Sequence, residues 1–285
     1  MSDNLAPTFN GFRTLAQAQV ISLSGPDSVA FTQAQFANDV LSLADGHWQW
    51  SAWLTAKGRV LSIFQLVRVD AGNLLLVCHD GGAEAMAEQL RRFVFRRKVV
   101  ISHAADKHVN GALHAPVCAQ GAAVVVLEDG TIELDVGSTA LPRSLHIGAP
   151  ADVANAEEEL AWRQSDLRLG LPRLVDAQRE QWTPQQLGLD RLSAYSVKKG
   201  CYPGQEIVAR THFLGKAKRS LALLECTGTV NAGDGVQQAG STVGSIASAA
   251  GTLALAVLPL ELPEGDLQVG EAGTRIIPLL DGLAR

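Results

Sequence analysis

The sequence lacks several features that would assign it to a large functional class at once. It has no close cysteine pair and no CxxC, because its four cysteines are scattered at Cys78, Cys118, Cys201 and Cys226. A disulfide framework is typical of short secreted chains, so we expect reduced thiols in a cytoplasmic protein. The N-terminus also lacks a basic segment followed by an apolar one, which argues against a secretory signal.

Basic residues do not outnumber acidic ones. The formal net charge is −5, which argues against a protein that coats nucleic acid with a basic surface, and we expect no direct nucleic-acid binding. Basic clusters at 91–98 and 216–219 are typical of solvated helix ends or anion-binding rims. Met86, Leu90 and Phe93 have the spacing of the apolar face of a helix that leads into the first cluster.

Motifs of several common enzyme classes are absent as well. No Gly-rich phosphate loop follows a strand, and no serine nucleophile elbow occurs. None of the seven histidines has the spacing to a cysteine that zinc sites require, so no metal site is expected. Hydrophobic residues make up 47% of the 285 positions and charged residues 19%, an ordinary balance for a chain of two or three packed units.

Hydrophobic periodicity predicts an α+β protein in three parts. Residues 1–105 have the pattern of a first α+β lobe, with a helix through FTQAQFANDV at 31–40. Residues 106–215 repeat the theme more weakly as a second α+β lobe. Residues 216–285 contain short strands and Gly-rich turns and predict a small C-terminal β-barrel. The uncharged stretch at 235–260 is too polar for a membrane-spanning helix and predicts a hairpin.

The most unusual stretch is KGCYPGQEIVAR, residues 199–210. Two glycines and a proline predict a tight turn, and the apolar pattern that follows predicts a helix starting near Pro203. Cys201 would then lie at a helix N-terminus beside Lys198 and Lys199, where the helix dipole and the ammonium groups favour a thiolate. A thiolate attacks electrophiles, binds metal or senses oxidant, so Cys201 and Lys199 are candidate catalytic residues. The alternative is a structural cysteine in a glycine turn.

This stretch resembles the signature of the YgfZ family, folate-binding relatives of the glycine cleavage T-protein. Similar blocks occur along nearly the whole chain, in the order that the family has, and the likeness is weakest between 103 and 155. The blocks are Gly25-Pro26-Asp27, LTAKGRVLSIF at 54–64, RRFVFRRKVVI at 91–101 and Gly170-Leu171-Pro172. The resemblance implies a T-protein-like fold, in which two α+β lobes and a C-terminal β-barrel surround a central channel.

The resemblance also implies ligands and partners. Tetrahydrofolate or another reduced folate would bind in the channel. Trp162 matches a tryptophan implicated in folate binding, and Tyr202, Gln205 and Arg210 of the motif are further candidate folate contacts. The family supports the assembly or repair of iron–sulfur enzymes, including those that thiolate tRNA, so these enzymes are the expected partners.

Two other functions compete with that one. A tetrahydrofolate-dependent aminomethyltransferase needs a carboxylate shortly after Gly58, and the stretch around Ser62 is RVLSI instead. The missing acid speaks against that activity. The T-protein block R-x-E-A-G appears as DLRLG at 166–170, with its charges exchanged, which would reverse a salt bridge or alter folate contacts. A plain interaction scaffold with a structural cysteine is the third possibility.

Overall fold

The computed structural model describes Phe9 and residues 11–215, 217–263 and 265–285. These residues form four α-helices and sixteen β-strands. The helices are α1 (Ser28–Gln35), α2 (Ala83–Arg91), α3 (Ala156–Arg168) and α4 (Gln205–Phe213). The strands are β1 (Arg13–Thr14), β2 (Gln19–Ser24), β3 (His47–Leu54), β4 (Val60–Asp70), β5 (Asn73–Cys78), β6 (Val100–His103), β7 (His108–Ala112), β8 (Val124–Val126), β9 (Ile132–Asp135), β10 (Ser144–Gly148), β11 (Arg219–Cys226), β12 (Gly235–Gln238), β13 (Ser241–Ala250), β14 (Leu253–Pro259), β15 (Leu267–Val269) and β16 (Ala272–Ile277).

The first lobe is a five-stranded antiparallel sheet with the order β3-β4-β5-β2-β6. One face of this sheet packs against α1 and α2 through a core that includes Phe31 and Leu90. The opposite face carries Trp48 and Trp50 into the main core of the protein. β3 and β4 pair as a long hairpin, so the turn at 55–58 lies at its end, where the site described below begins.

A second five-stranded sheet has the order β1-β7-β10-β9-β8. Because β1 pairs with β7, Arg13 and Thr14 belong to this sheet rather than to the first one. α3 begins with a capping box, in which the Asn155 and Glu158 side chains each accept from the other's backbone N–H. The helix is polar toward solvent, and its buried face joins the main core.

The last part of the chain closes into a six-stranded barrel with the order β11-β14-β13-β12-β15-β16. β13 and β14 form the predicted hairpin, with Gly251 at its turn. Leucines of the barrel, such as Leu255, share one buried core with Trp50 of the first sheet and Leu145 of the second. No helix in the described ranges is long and apolar enough to cross a membrane. The predicted α+β class with a C-terminal barrel is confirmed, and the central channel stays a prediction.

Candidate functional site

The KGCYPGQE motif forms a loop that leads into α4. Cys201 is an exposed free cysteine, whereas Lys199 and Tyr202, which flank it at short range, are only 5% and 6% exposed. α4 begins at Gln205 with Gly204 as its N-cap, so Cys201 precedes the first turn of the helix rather than lying within it. The loop therefore presents a thiol to solvent while its neighbours are fixed in the interior.

Lys199 attaches this loop to the C-terminal end of α1. Its ammonium group donates hydrogen bonds to the backbone carbonyl oxygens of Gln33, Phe36 and Asn38, at 2.6, 2.5 and 2.9 Å. Burial lowers the pKa of Lys199 to about 8. The three carbonyls use all three donors of the ammonium group, so it has none left for Cys201. The structure thus gives Lys199 an anchoring position, which differs from the free cation beside the thiol that the sequence suggested.

Tyr202 and Gln205 brace the same loop. The Tyr202 hydroxyl donates to the Ser196 carbonyl oxygen at 3.2 Å, and its ring lies 4.9 Å from the Lys199 ammonium group. Burial, with a smaller contribution from Tyr195, raises the pKa of Tyr202 to about 12, so the phenol stays protonated. The Gln205 side-chain amide donates to the Lys199 carbonyl oxygen at 2.9 Å. Both side chains therefore make contacts that shape the loop.

Two glycines hold the loop against the turn at 55–58. Gly58 and Gly204 have φ values of +68° and +81°, in the left-handed region that favours glycine. A Cβ added at Gly204 would lie 2.6 Å from the Thr55 carbonyl oxygen, and one added at Gly58 would lie 2.8 Å from the Ile207 Cβ. Only glycine fits at either position. The TAKG and PGQE blocks, distant in sequence, are therefore contact partners.

The other two predicted folate contacts lie outside this loop. Arg210 is exposed on α4, and its side chain makes no hydrogen bond or ion pair within the described ranges. Trp162 is 2% exposed on α3, in the core cluster that also contains Tyr202. Its ring lies under the Arg143 guanidinium, at 4.8 Å, and against the backbone of Gly111. The indole is therefore a core side chain, with one ring face already covered.

A buried ionic cluster beside Trp162 was missed by the sequence reasoning. Asp166 accepts hydrogen bonds from Arg143 at 2.6 Å and from Arg173 at 2.8 Å, and Arg173 also bonds to Asp80 at 2.5 Å. Burial alone would raise the pKa of Asp166, but the two guanidinium groups outweigh it and hold the pKa below its usual range. Of the exchanged charges at 166–170, Asp166 thus serves ion pairs with Arg143 and Arg173, whereas Arg168 forms no ion pair within the described ranges. Only the unusual acid at 166 signalled this cluster in the sequence.

Three polar atoms next to the cluster have no hydrogen-bond partner among the described residues: Trp162 Nε1, Gln65 Nε2 and His79 Nδ1. His79 Nε2 lies 3.0 Å from Gln65 Oε1, and Arg173 donates to the His79 carbonyl oxygen. Burial, helped by Arg173, lowers the pKa of His79 to about 3, so the ring is neutral and Nδ1 is an acceptor. Unpaired buried polar atoms are rare, and each costs about 1–3 kcal/mol. A polar ligand that satisfied them would be stabilised here.

Curated relatives show where the chain belongs. It is 31% identical to the tRNA-modifying protein YgfZ of Colwellia psychrerythraea, over 74% of this chain and 70% of that protein. It is 30% identical to YgfZ of Klebsiella pneumoniae, over 75% and 71% of the two chains, and 27% identical to YgfZ of Aliivibrio fischeri, over 86% and 84%. This chain belongs to the YgfZ family.

The fold of this YgfZ family member is that of a T-protein. It is similar to the glycine cleavage system aminomethyltransferase T from Bartonella henselae, with a TM-score of 0.75 over 94% of this chain and 84% of that one. At 15% identity, this likeness concerns the fold alone. No family model matches the chain. The family and the T-protein-like fold expected from the sequence are therefore confirmed, while the roles of the individual site residues stay predictions.

Proposed function

We propose that this protein is a folate-binding accessory factor that supports the assembly or repair of iron–sulfur enzymes, including those that thiolate tRNA, with Cys201 as its working thiol. The presentation of Cys201 carries the proposal, because an exposed thiol between two buried anchors is held ready at a fixed place. Burial raises the pKa of Cys78 to about 12 and also raises that of Cys226, which disfavours their reactive thiolate forms.

The chemistry of clusters limits what Cys201 can do by itself. Iron–sulfur clusters are held by about four protein ligands, so a lone thiolate cannot hold one. Among the described residues, no group of three or more His, Cys, Asp or Glu side chains is arranged to hold a metal ion. We therefore propose that Cys201 acts while a client enzyme supplies the remaining ligands. The names of the relatives, which are called tRNA-modifying proteins, support clients of that class.

The unpaired polar atoms beside the buried ionic cluster match a reduced folate in the kinds of hydrogen bond that they offer. A pterin edge carries both donors and acceptors, and the unpaired atoms offer N–H donors from Trp162 and Gln65 and an acceptor from His79. When bound, the folate would supply a carrier of one-carbon units. Because Arg143 covers one face of Trp162, we propose a hydrogen bond from its indole N–H as the contact, in place of stacking. Arg210, exposed on α4, stays a further proposed contact.

Genetic rescue tests the role of the thiol. In cells deleted for the gene, we expect Cys201→Ser to fold normally but to leave iron–sulfur enzyme activity and tRNA methylthiolation unrescued. Cys118→Ser is the matched control, since Cys118 is the other exposed cysteine, and it should rescue fully. Full rescue by Cys201→Ser would show that the thiol is not the working group.

Calorimetry with tetrahydrofolate tests the ligand independently of the thiol. Trp162→Phe keeps most of the buried ring but removes the N–H, and loss of one hydrogen bond of about 1.4 kcal/mol should weaken binding about tenfold. Cys201→Ser should bind as the wild type does. Equal affinity for Trp162→Phe would remove the indole N–H from the site, and no binding by the wild type would remove folate from the proposal.

A tetrahydrofolate-dependent aminomethyltransferase is the alternative that the fold allows and the residues disfavour. β4 carries no carboxylate between Val60 and Val69, and Ile63 is packed in the apolar core. The carboxylates of Asp80 and Asp166 are both ion-paired with Arg173, which removes them as free bases. Release of ammonia or a methylene-folate product from an aminomethyl donor would favour this alternative.

A further inference from the structure

The segment after α2 forms a basic and aromatic surface, residues 91–98 with the sequence RRFVFRRK, here named the arginine–phenylalanine surface. The sequence predicted that Phe93 would continue the buried face of the helix. α2 ends at Arg91 instead, and Phe93 and Phe95 turn outward, with 42% and 87% of their areas exposed. Between two pairs of arginines, the Phe95 ring therefore lies in solvent and the Phe93 ring is partly exposed.

The conformation of Phe95 is costly for folding. Its φ of +47° lies in the left-handed region, which bulky residues rarely adopt and which costs about 1–2 kcal/mol. The exposed ring recovers almost nothing of this cost through burial. Residues held in such conformations cluster at ligand-binding sites. The backbone at Phe95 thus adopts an unfavourable conformation while the aromatic ring remains exposed to solvent.

Four of the five cations beside these rings have no side-chain partner within the described ranges and are free to bind a ligand. Of the five, only Arg91 has a partner within the described ranges: its guanidinium lies 3.3 Å from Glu84 and also donates to the Ile101 carbonyl oxygen. The other four, all exposed, are Arg92, Arg96, Arg97 and Lys98. Although the protein as a whole carries a net charge of −5, the local positive charge of this surface would attract a polyanion.

We propose that the arginine–phenylalanine surface binds unpaired nucleotides of an RNA. Bases stack on exposed aromatic rings, and guanidinium groups pair with phosphates through parallel hydrogen bonds. The order of two arginines, two spaced phenylalanines and two arginines supplies both kinds of contact side by side. This inference goes beyond the proposed function and does not depend on Cys201. It differs from the expectation of no direct nucleic-acid binding that was drawn from the net charge, because a net charge does not describe a local surface.

A membrane is the less suitable partner for this surface. A segment that lies in a bilayer interface presents a continuous apolar helix face, and the apolar residues Met86 and Leu90 of α2 are buried in the core instead. Most of the cations are arginines, whose planar groups suit phosphates and stack on bases. Stacking and phosphate pairing together describe single-stranded nucleic acid better than lipid.

Fluorescence anisotropy with a labelled oligouridine of about 12 nucleotides, within the range of single-strand sites, tests the proposal on the full chain. Phe95→Ala should weaken binding about tenfold, since stacking of one base contributes about 1–3 kcal/mol. Phe95→Leu should weaken it equally, because leucine is apolar but has no π face, while Phe95→Trp should retain binding. The salt slope should fall by about 0.7 for each arginine removed in Arg96→Ala and Arg97→Ala.

Matched controls distinguish binding at this surface from non-specific binding to any exposed aromatic residue. Phe213 is also exposed, at 67%, so Phe213→Ala should leave binding unchanged. An equal loss in Phe213→Ala, or no binding by the wild type, would overturn the proposal. So would wild-type binding to phosphatidylserine vesicles that Phe95→Leu retains, because that result would assign the surface to a membrane.

Discussion

The Cys201 loop and the buried ionic cluster around Asp166 hold polar groups in opposite ways. In the loop, the Cys201 side chain is exposed, and the anchoring groups of Lys199 and Tyr202 point inward to backbone carbonyl oxygens. In the cluster, Arg143 and Asp166 are buried, Arg173 and Asp80 are partly buried, and each of the four is paired with a side chain of opposite charge. Backbone carbonyls are present whatever the sequence, whereas each side-chain partner in the cluster must itself be the right residue.

This contrast implies different responses to substitution. Exposed positions of the loop should affect function without affecting stability, and its anchors should affect both. Substitutions in the cluster should lower the unfolding free energy of the protein most, because removing one partner leaves a charge buried without compensation.

Asp166→Asn should have the largest effect. It leaves the buried guanidinium groups of Arg143 and Arg173 without their shared carboxylate, which should cost about 3–5 kcal/mol of unfolding free energy. Urea unfolding measures this cost. Asp176→Asn, which breaks the exposed pair with Arg179, is the control and should change little. A small effect of Asp166→Asn would mean that water solvates the charges of the cluster, as it does those of ion pairs on the protein surface.

Gly204→Ala tests the glycine contact beneath the loop. The added Cβ would lie 2.6 Å from the Thr55 carbonyl oxygen at a positive φ, so strain and overpacking should together cost about 2–4 kcal/mol. Gly200→Ala lies in the same motif with nothing within 4 Å of its Cβ, and it should be nearly neutral. Thermal unfolding of the two variants compares them directly, and equal stability would contradict the close contact between Gly204 and Thr55.

Lys199→Met separates anchoring from charge. It keeps the stem but strips three buried carbonyls of their donor, which should cost about 2–3 kcal/mol. It should also change the rate at which iodoacetamide alkylates Cys201, because the loop loses its attachment to α1. Lys198→Met removes an exposed charge from the same loop and should leave the unfolding free energy unchanged. If Lys198→Met alters alkylation as much as Lys199→Met, charge rather than anchoring governs the thiol.

His79→Gln should flatten the dependence of stability on pH. The pKa of His79 is about 3 in the folded protein against 6.5 for an ordinary histidine, so the unfolded chain binds more protons between these values. The resulting stability is fully present above about pH 6.5 and is lost as pH falls toward 3. Between about pH 7 and pH 5 the wild type should lose about 2 kcal/mol through this residue, and the glutamine variant should be spared that loss. Urea unfolding at both pH values measures it, and parallel curves for the two proteins would contradict the buried neutral ring.

Local patterns in the sequence predicted much of this structure. The hairpin of β13 and β14, the helix close after Pro203 and the exposed cysteine loop all depend on neighbouring residues, mainly on glycine, proline and the alternation of apolar side chains. The family resemblance depended on the same short blocks. These features were available because turn chemistry and periodicity act over a few residues.

Tertiary contacts decided the rest. The helix expected through 31–40 ends at Gln35, because Phe36 is extended and forms a β-bridge with Trp53. The backbone carbonyl oxygens left unpaired at this helix end accept hydrogen bonds from Lys199. Trp162, on a helix with a polar sequence, is buried because Gly111 leaves room for its ring. The partners of Asp166 are Arg143, which is 23 residues away, and Arg173, which is 7 residues away beyond the end of α3. The sequence by itself determined which turns and strands could form and where the cysteine loop lies. Only the tertiary structure decided which of these elements are in contact. The reason is that burial and ion pairing bring together residues from different elements, and a local sequence pattern does not show which elements will meet.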